Sequence, residues 1–415
     1  MKLNYLKEDF KKNNDKPIFN EDFVKNNFPN KREENWKFTD LEKILNFKFK
    51  ELNVYNKKDI ISFNEKLKFD HYSLIAINGN ISNYNFGDEE KKFSSSSNFD
   101  NGNLSLKINK KHPFNNFTED LKNDTLLAQN IAFADRGYNL EVASSLKKPI
   151  VIYNIFKHDL EDKFINVSNK IKLLNSEATI IEYNIDYSNS CFFRSTFQIF
   201  DLNKSNLNYF IINKGTSKSY NYVRNKIKID RSNYENYIFT SGTKFKKEEN
   251  EILLNSENSS AKIMSAVFLK NDDHQEIQSI IRHQKPSCKS FQKIKNILRD
   301  GSKGIFQGKV YVSKEAQKTD AYQISKGLLL DQKSEFSTKP ELEIYADDVK
   351  CSHGSTSGNI DEQAQYYLMS RGLSKKKATD LIIRGFLADV ISDIKNKDLK
   401  NIINSHLDEA ISYEN

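Results

Sequence analysis

The chain has 415 residues, 29% of them charged, and a mean hydropathy of −0.70, which describes a well-wetted surface and enough length for two or three domains. The 64 basic residues against 56 acidic ones leave a formal charge of +8, but they are spread along the chain; nucleic-acid binding would gather them on one face among aromatics, so that class is set aside. Three scattered cysteines exclude a disulfide framework, no apolar run approaches the roughly 18 residues of a membrane span, and the opening "MKLNYLKEDFKKNNDK" lacks the apolar core of a secretory signal, so a cytoplasmic protein is expected.

Residues 1–125 alternate short helical stretches with polar segments and predict a mainly helical N-terminal domain. The sole tryptophan, Trp36, is expected to anchor it. Thr39 stands as an N-cap, with Glu42 at the capping-box position ahead of Ile44 and Leu45. "YSLIAINGN" at 72–80 predicts a strand ending in an Asn-Gly turn, and "SSSSNFDNGN" at 94–103 a loop.

From about 136 to 350 the chain reads as β-structure, and it repeats. "NKIKLLNSEATIIEY" begins at Asn169 and "NKIKIDRSNYENYIFT" at Asn225. "TFQIFDLNKSNLNYFII" fits the same strand–turn–strand form between them, and "NEILLNSENSSAKIMSAVF" continues the series from Asn250. Such a period means stacked units that share one core. Ile171, Leu173, Ile227 and Ile229 alternate with lysines, which is strand periodicity. A parallel β-helix fits best, because Gly-rich hairpin turns are few; periodicity alone leaves a sandwich or a propeller open.

The last 55 or so residues predict three helices. Asp361 and Glu362 open the first, which ends near Gly372. Ser374 caps a second running to about Lys395, and "LKNIINSHLDEAISY" supplies a third. On the second helix Leu381, Ile382, Phe386, Ala388, Val390 and Ile391 form an apolar stripe. It could cap the open end of a solenoid, pack on the other helices, or dock a partner.

The stretch "ELEIYADDVKCSHG" carries the candidate chemistry. If one strand ran through it, Cys351 and His353 would share a face with Glu341, Glu343, Tyr345 and Asp347. Residues two apart on a strand lie about 6.6 Å apart, so a thiolate and an imidazole there could converge on one metal ion or small cluster. Lys350 is expected to hold the thiolate charged, and Gly354 to permit a sharp turn or the approach of another backbone. A structural zinc wants four ligands. His274, His283 and Cys288 are too widely spaced to supply the missing pair and read as strand residues, as structural as Cys191. The chain has neither a P-loop nor a Gly-x-Ser-x-Gly elbow. Glu341, Glu343, Asp347 and Asp348 would suit a β-helix polysaccharide lyase or hydrolase, but read better as a solvated strand face.

These residues also carry a family resemblance. Gly304–Lys309 (GIFQGK), Ala316–Ala321 (AQKTDA), Lys339–Ile344 (KPELEI) and Cys351–Gly354 (CSHG) fall in the order of the SufB/SufD family of iron–sulfur cluster assembly proteins. "FPNKREENWKFTDLE", "HPFNNF" and "NIAFADRGYNLEV" fit its SufD branch, which the chain resembles most. The resemblance implies a mainly β protein with a right-handed parallel β-helix core (126–357), flanked by an N-terminal α/β or helical domain (1–125) and a C-terminal helical domain (358–415). It implies a non-catalytic scaffold subunit of the SUF complex. SufB would pair with it through the β-helix, and the ATPase SufC would dock on the C-terminal helices, for which Leu381, Ile382, Phe386 and Val390 are the candidate contacts. It places His353, beside Cys351, in half of an interfacial site where iron or a cluster is held transiently, with no stable cofactor in the isolated chain. A SufB-like homodimeric scaffold is the alternative; the lack of a cysteine between 300 and 350 argues against it.

Overall fold

The computed structural model describes residues 29–41, 44, 53–54, 66–87, 98–100, 102–109, 124–157, 160–214 and 218–412. From Lys163 to Asn359 the chain winds as a β-solenoid of about seven turns, each contributing one strand to an 11-stranded sheet and one to a 10-stranded sheet. Each strand pairs in parallel with the strand one coil on, two elements later in sequence. Asn169 pairs with Gln198 and Gln198 with Asn225, so the repeat seen in the sequence is two coils. That pairing excludes the propeller and the sandwich.

The alternation read from the sequence is the one that closes the core. Ile171, Leu173, Ile227 and Ile229 point inward and are buried with Phe200, Leu202, Ile252 and Leu254 from neighbouring coils. Burying each such side chain contributes roughly 1.5–3 kcal/mol. The intervening lysines point out. The polar punctuation has its own role at the corners, where Asn175, Lys204 and Arg231 each take positive φ after a strand of the larger sheet. The serines that follow link consecutive coils: Ser176 N donates to Ser205 Oγ (3.2 Å), and Ser205 N to Ser232 Oγ (2.9 Å).

Tyr72–Ile77 forms the expected strand, and Asn78 and Gly79 make the turn with φ of 48° and 81°. The strand pairs in parallel with Ile150–Phe156, so this part of 1–125 extends the 10-stranded sheet. Asn98–Asp100, inside the segment read as a loop, is a short strand on the larger sheet. Other stretches on which the helical expectation for 1–125 rests lie outside the described residues, as do Glu42 and Leu45.

Trp36 anchors its segment to the solenoid, stacking near Tyr222 (5.6 Å between centroids) with Lys247 Nζ 4.5 Å from its ring centre. Lys247 and Glu276 form an ion pair with neither side chain exposed. Thr39 donates its hydroxyl to Glu276, which ties its segment to the sheet; the Glu42 amide it is expected to cap lies outside the described residues.

Among the described residues, four helices have both ends in view: α1 (Thr125–Phe133), α2 (Glu362–Ser370), α3 (Lys375–Ser392) and α4 (Lys397–Ser412). The expected caps hold. Asp361 accepts from the amides of Gln363 and Ala364 (2.9 and 3.0 Å), Gly372 takes φ +94° after α2, and Ser374 accepts from Lys377 N (3.3 Å). The last two helices pack along the outer face of the 10-stranded sheet and do not cap the solenoid's end. Ile383, Leu387, Val390 and Ile391 of α3 meet Phe210, Tyr237, Met264 and Phe268 in one cluster. Asp389 pairs with Lys293 and Lys295 (3.1 and 2.7 Å), and Asp393 accepts from Tyr237 Oη (2.6 Å).

Candidate functional site: the open terminal coil

The last coil consists of Glu335–Ile344 and Val349–Asn359, which end the larger and smaller sheets respectively. Among the described residues neither has a neighbour on its outer edge. Each therefore presents a row of backbone donors and acceptors with no partner strand.

The strand imagined through 341–353 is broken. Residues 345–348 turn the corner between the two sheets, so Glu341, Glu343, Tyr345 and Asp347 do not share a strand with Cys351 and His353. The pairing of the latter two is still informative. Cys351 lies over Ala321 and His353 over Gln323, both buried side chains of the coil beneath. Thus Cys351 and His353 continue an inward-facing column on a coil that no described residue covers. Cys351 is half-buried against the cluster of Val310, Val312, Ala316, Ala321 and Ala346, whereas His353 is exposed.

Burial pushes the Cys351 thiol above its ordinary pKa, and the carboxylate of Asp320 adds to the rise. This corrects the role given to Lys350. The thiol is held protonated and not charged, chiefly by burial, and the charge that adds to the rise is that of Asp320, which pairs with Lys350 in register one coil below. Gly354 makes no turn. It sits within the strand, and a Cβ built there would meet nothing within 4 Å, which leaves room for another backbone.

Sequence reasoning missed the supporting hydroxyls. Ser325 Oγ lies 3.0 Å from Thr338 Oγ1 and donates to Ser355 Oγ at 3.1 Å, tying the last coil to the one before. Inward parity from Cys351 would have found Ser355. It also missed the glycine beneath: a Cβ at Gly327 would lie 2.5 Å from Cγ of Phe336, which fills the last coil. Around the rim Tyr322, Ile344 and Tyr345 are exposed.

The remaining candidates are placed elsewhere. His274 lies 3.0 Å from Thr39 Oγ1, and burial lowers its pKa to about 3. His283, lowered by burial to about 4, is within 2.9 Å of Ser290 Oγ inside the core. The Cys288 thiol donates to Ser256 O (3.2 Å), and Cys191 packs beside the Trp36 cluster. Among the described residues no three His, Cys, Asp or Glu side chains are grouped to hold a metal ion. Glu341 pairs with Lys339 (2.8 Å) and Glu343 with Lys309, which holds the Glu343 carboxyl below its usual pKa. Two carboxylates each neutralised by lysine suit a solvated face better than a general acid and base.

On the proposed docking stripe, Leu381 is 49% exposed, Ile382 and Phe386 are half-buried, and Val390 is fully buried against the sheet. Val390 is thus core and has no surface to offer a partner. Exposed apolar surface nearby comes instead from Tyr366, Tyr367 and Met369 of α2. No helix among the described residues is long and apolar enough to cross a membrane.

Comparison with known proteins converges on one group. The profile of the SUF system FeS cluster assembly SufBD core domain matches residues 171–386. The chain is 26% identical over 398 residues to the iron–sulfur cluster assembly protein SufD of Escherichia coli, covering 94% of this chain and 90% of that one. It is 31% identical over 164 residues to a SufBD family protein of Synechocystis, covering 40% and 36%. A SufBD family protein of Mycobacterium leprae is 30% identical over 142 residues, covering 32% and 36%.

Proposed function

Because the chain belongs to the SufBD core family of the SUF iron–sulfur cluster assembly system, we propose that it is the SufD-like scaffold subunit of that system. In this reading residues 126–357 pair with SufB through the terminal coil, and 358–415 dock the ATPase SufC. His353, with Cys351, supplies half of a site at which a cluster is built transiently from iron and sulfur. The chain does no chemistry of its own, and its place is the cytoplasm.

The carrying observation is the coincidence of the two open edges with the two candidate ligands on one coil. A ligand pair buried inside a solenoid could not be shared. A pair on the inward column of an uncovered coil becomes enclosed only when another chain's strands extend the sheets. An exposed imidazole offers a nitrogen at once, whereas a half-buried thiol with a raised pKa becomes a ligand when a cation nearby favours the thiolate. The same edges favour a homodimer when the chain is isolated.

His353→Ala tests the reading. The complex with SufB and SufC should assemble and melt as the unaltered one does, while the visible absorbance of a newly formed cluster after addition of iron and a sulfur donor is lost. Unchanged cluster formation would remove His353 from the site.

A further inference from the structure

The two edges of the terminal coil, with which no described residue pairs, are not alike. In a parallel sheet the N–H and C=O of one residue point to the same neighbour, and those of the next residue to the other. Glu335 N donates to Ser302 O (3.0 Å) and Tyr345 N to Val312 O (2.9 Å). Along Glu335–Ile344, therefore, odd-numbered residues bond the coil beneath and even-numbered ones face the free edge. Pro340 is one of the latter. Among the described residues it is the only proline inside a strand. Its missing N–H costs the solenoid no bond and leaves a gap in the middle of the free edge. The outer face of the same strand carries Lys339, Glu341 and Glu343, and Glu34 of the Trp36 segment reaches across to pair with Lys339. A proline, alternating charges and a covering segment are ways in which a sheet edge is closed to strand addition.

Val349–Asn359 has none of these guards. Asp320 N donates to Cys288 O (3.1 Å) and Leu330 N to Leu298 O (2.9 Å), so the even-numbered residues of Thr319–Leu329 bond the coil before. Its odd-numbered residues turn to Val349–Asn359. In the observed register they meet main-chain groups of the even-numbered residues there. The odd-numbered residues of Val349–Asn359, Cys351 and His353 among them, are left with N–H and C=O on the free edge. None of them is a proline. On the outer face Ser352, Gly354, Thr356 and Gly358 are small, uncharged and exposed, and Lys350 is the one charge. The edge left open to a strand is thus the one that bears the thiol and the imidazole.

Resting on the function proposed above, we infer that the partner scaffold subunit lays a strand along Val349–Asn359 with unbroken main-chain pairing. This edge, and not that of Glu335–Ile344, holds the two chains in register. Along Glu335–Ile344 the partner is met on either side of the gap at Pro340. Residues directly across a strand pair put their side chains on the same face. Cys351 and His353 face inward, so the partner residue opposite each of them also points into the interior. The main-chain pairing itself brings a partner side chain beside His353.

Binding titrations of the full chain with the SufB subunit test the assignment. Ser357→Pro removes an N–H from the free edge and none from the solenoid, as Pro340 does. The isolated chain should melt as the unaltered one does, and its affinity for SufB should fall about tenfold or more, because one main-chain bond is lost and a carbonyl is left unpaired. Gly358→Pro is the complement: its N–H bonds the coil beneath, so the change should lower the melting temperature of the isolated chain. Pro340→Ala returns an N–H to the guarded edge and should leave the affinity within about twofold. A folded Ser357→Pro chain that binds SufB as tightly as the unaltered chain would overturn the assignment. So would a Pro340→Ala chain that binds about tenfold more tightly, the worth of one added main-chain bond in a ladder that sets the register; this arm decides alone if Ser357→Pro does not fold. An unaltered chain that forms no complex with SufB would remove the proposed function, and the inference with it.

Discussion

Cys351 and Lys350 are adjacent in sequence, yet what governs the thiol is burial, with a smaller part from Asp320, thirty-one positions earlier and one coil below. Burial and Asp320 both keep the thiol protonated at neutral pH, so alkylation of Cys351 should be slow at pH 7 and rise only at pH values above those of an ordinary thiol. Asp320→Asn removes the smaller of the two causes. It should shift the alkylation profile of Cys351, followed by peptide mass mapping, towards lower pH but not below that of a free thiol. A profile unmoved by the change would assign the whole rise to burial. The second residue-scale prediction concerns Lys247. Lys247→Met leaves Glu276 buried without its cation, a change that costs about 3–5 kcal/mol in comparable pairs. Urea unfolding should show that loss, and the Trp36 fluorescence should report release of its segment from the sheet. Alternation made it legible that Cys351 and His353 share a face, but set them with Glu341 and Glu343; that the face is the inward one follows only from their register over Ala321 and Gln323. The same alternation should have turned Lys350 away from Cys351, whereas Asp320 could be found only through the register between coils.

At the scale of elements, local signals are legible in the sequence and long-range ones are not. The ends of α2 and the start of α3 follow from Asp361, Gly372 and Ser374, because caps are made by residues within one turn of the helix they close. Which side of α3 faces the sheet does not follow. Leu381 and Val390 belong to one apolar stripe, and only the packing of α3 against the strand that carries Met264 and Phe268 separates the exposed residue from the buried one. The distinction predicts different outcomes. Leu381→Glu should leave the melting temperature of the isolated chain nearly unchanged and abolish copurification with the ATPase subunit. Val390→Glu should detach α3 and lower the melting temperature by itself. Retention of the ATPase by a folded Leu381→Glu chain would move the docking surface elsewhere, with the exposed Tyr366, Tyr367 and Met369 of α2 as the next place to look.

For the whole molecule, the repeat made stacked units legible, but a strand–turn–strand pattern is shared by hairpins and solenoid coils. The pairing of each strand with the one two elements later decides between them, and that is a property of the assembled sheet. A solenoid built this way has an end, and an end that stays open needs either protection or a partner. In this chain the open end is also where the thiol and imidazole stand. Amide hydrogen exchange of the chain with and without SufB tests that account most directly. Strong new protection in 335–344 and 349–359, with the outer faces of both sheets unchanged, is the predicted result. Protection confined to other surfaces, in a complex that still forms, would contradict it.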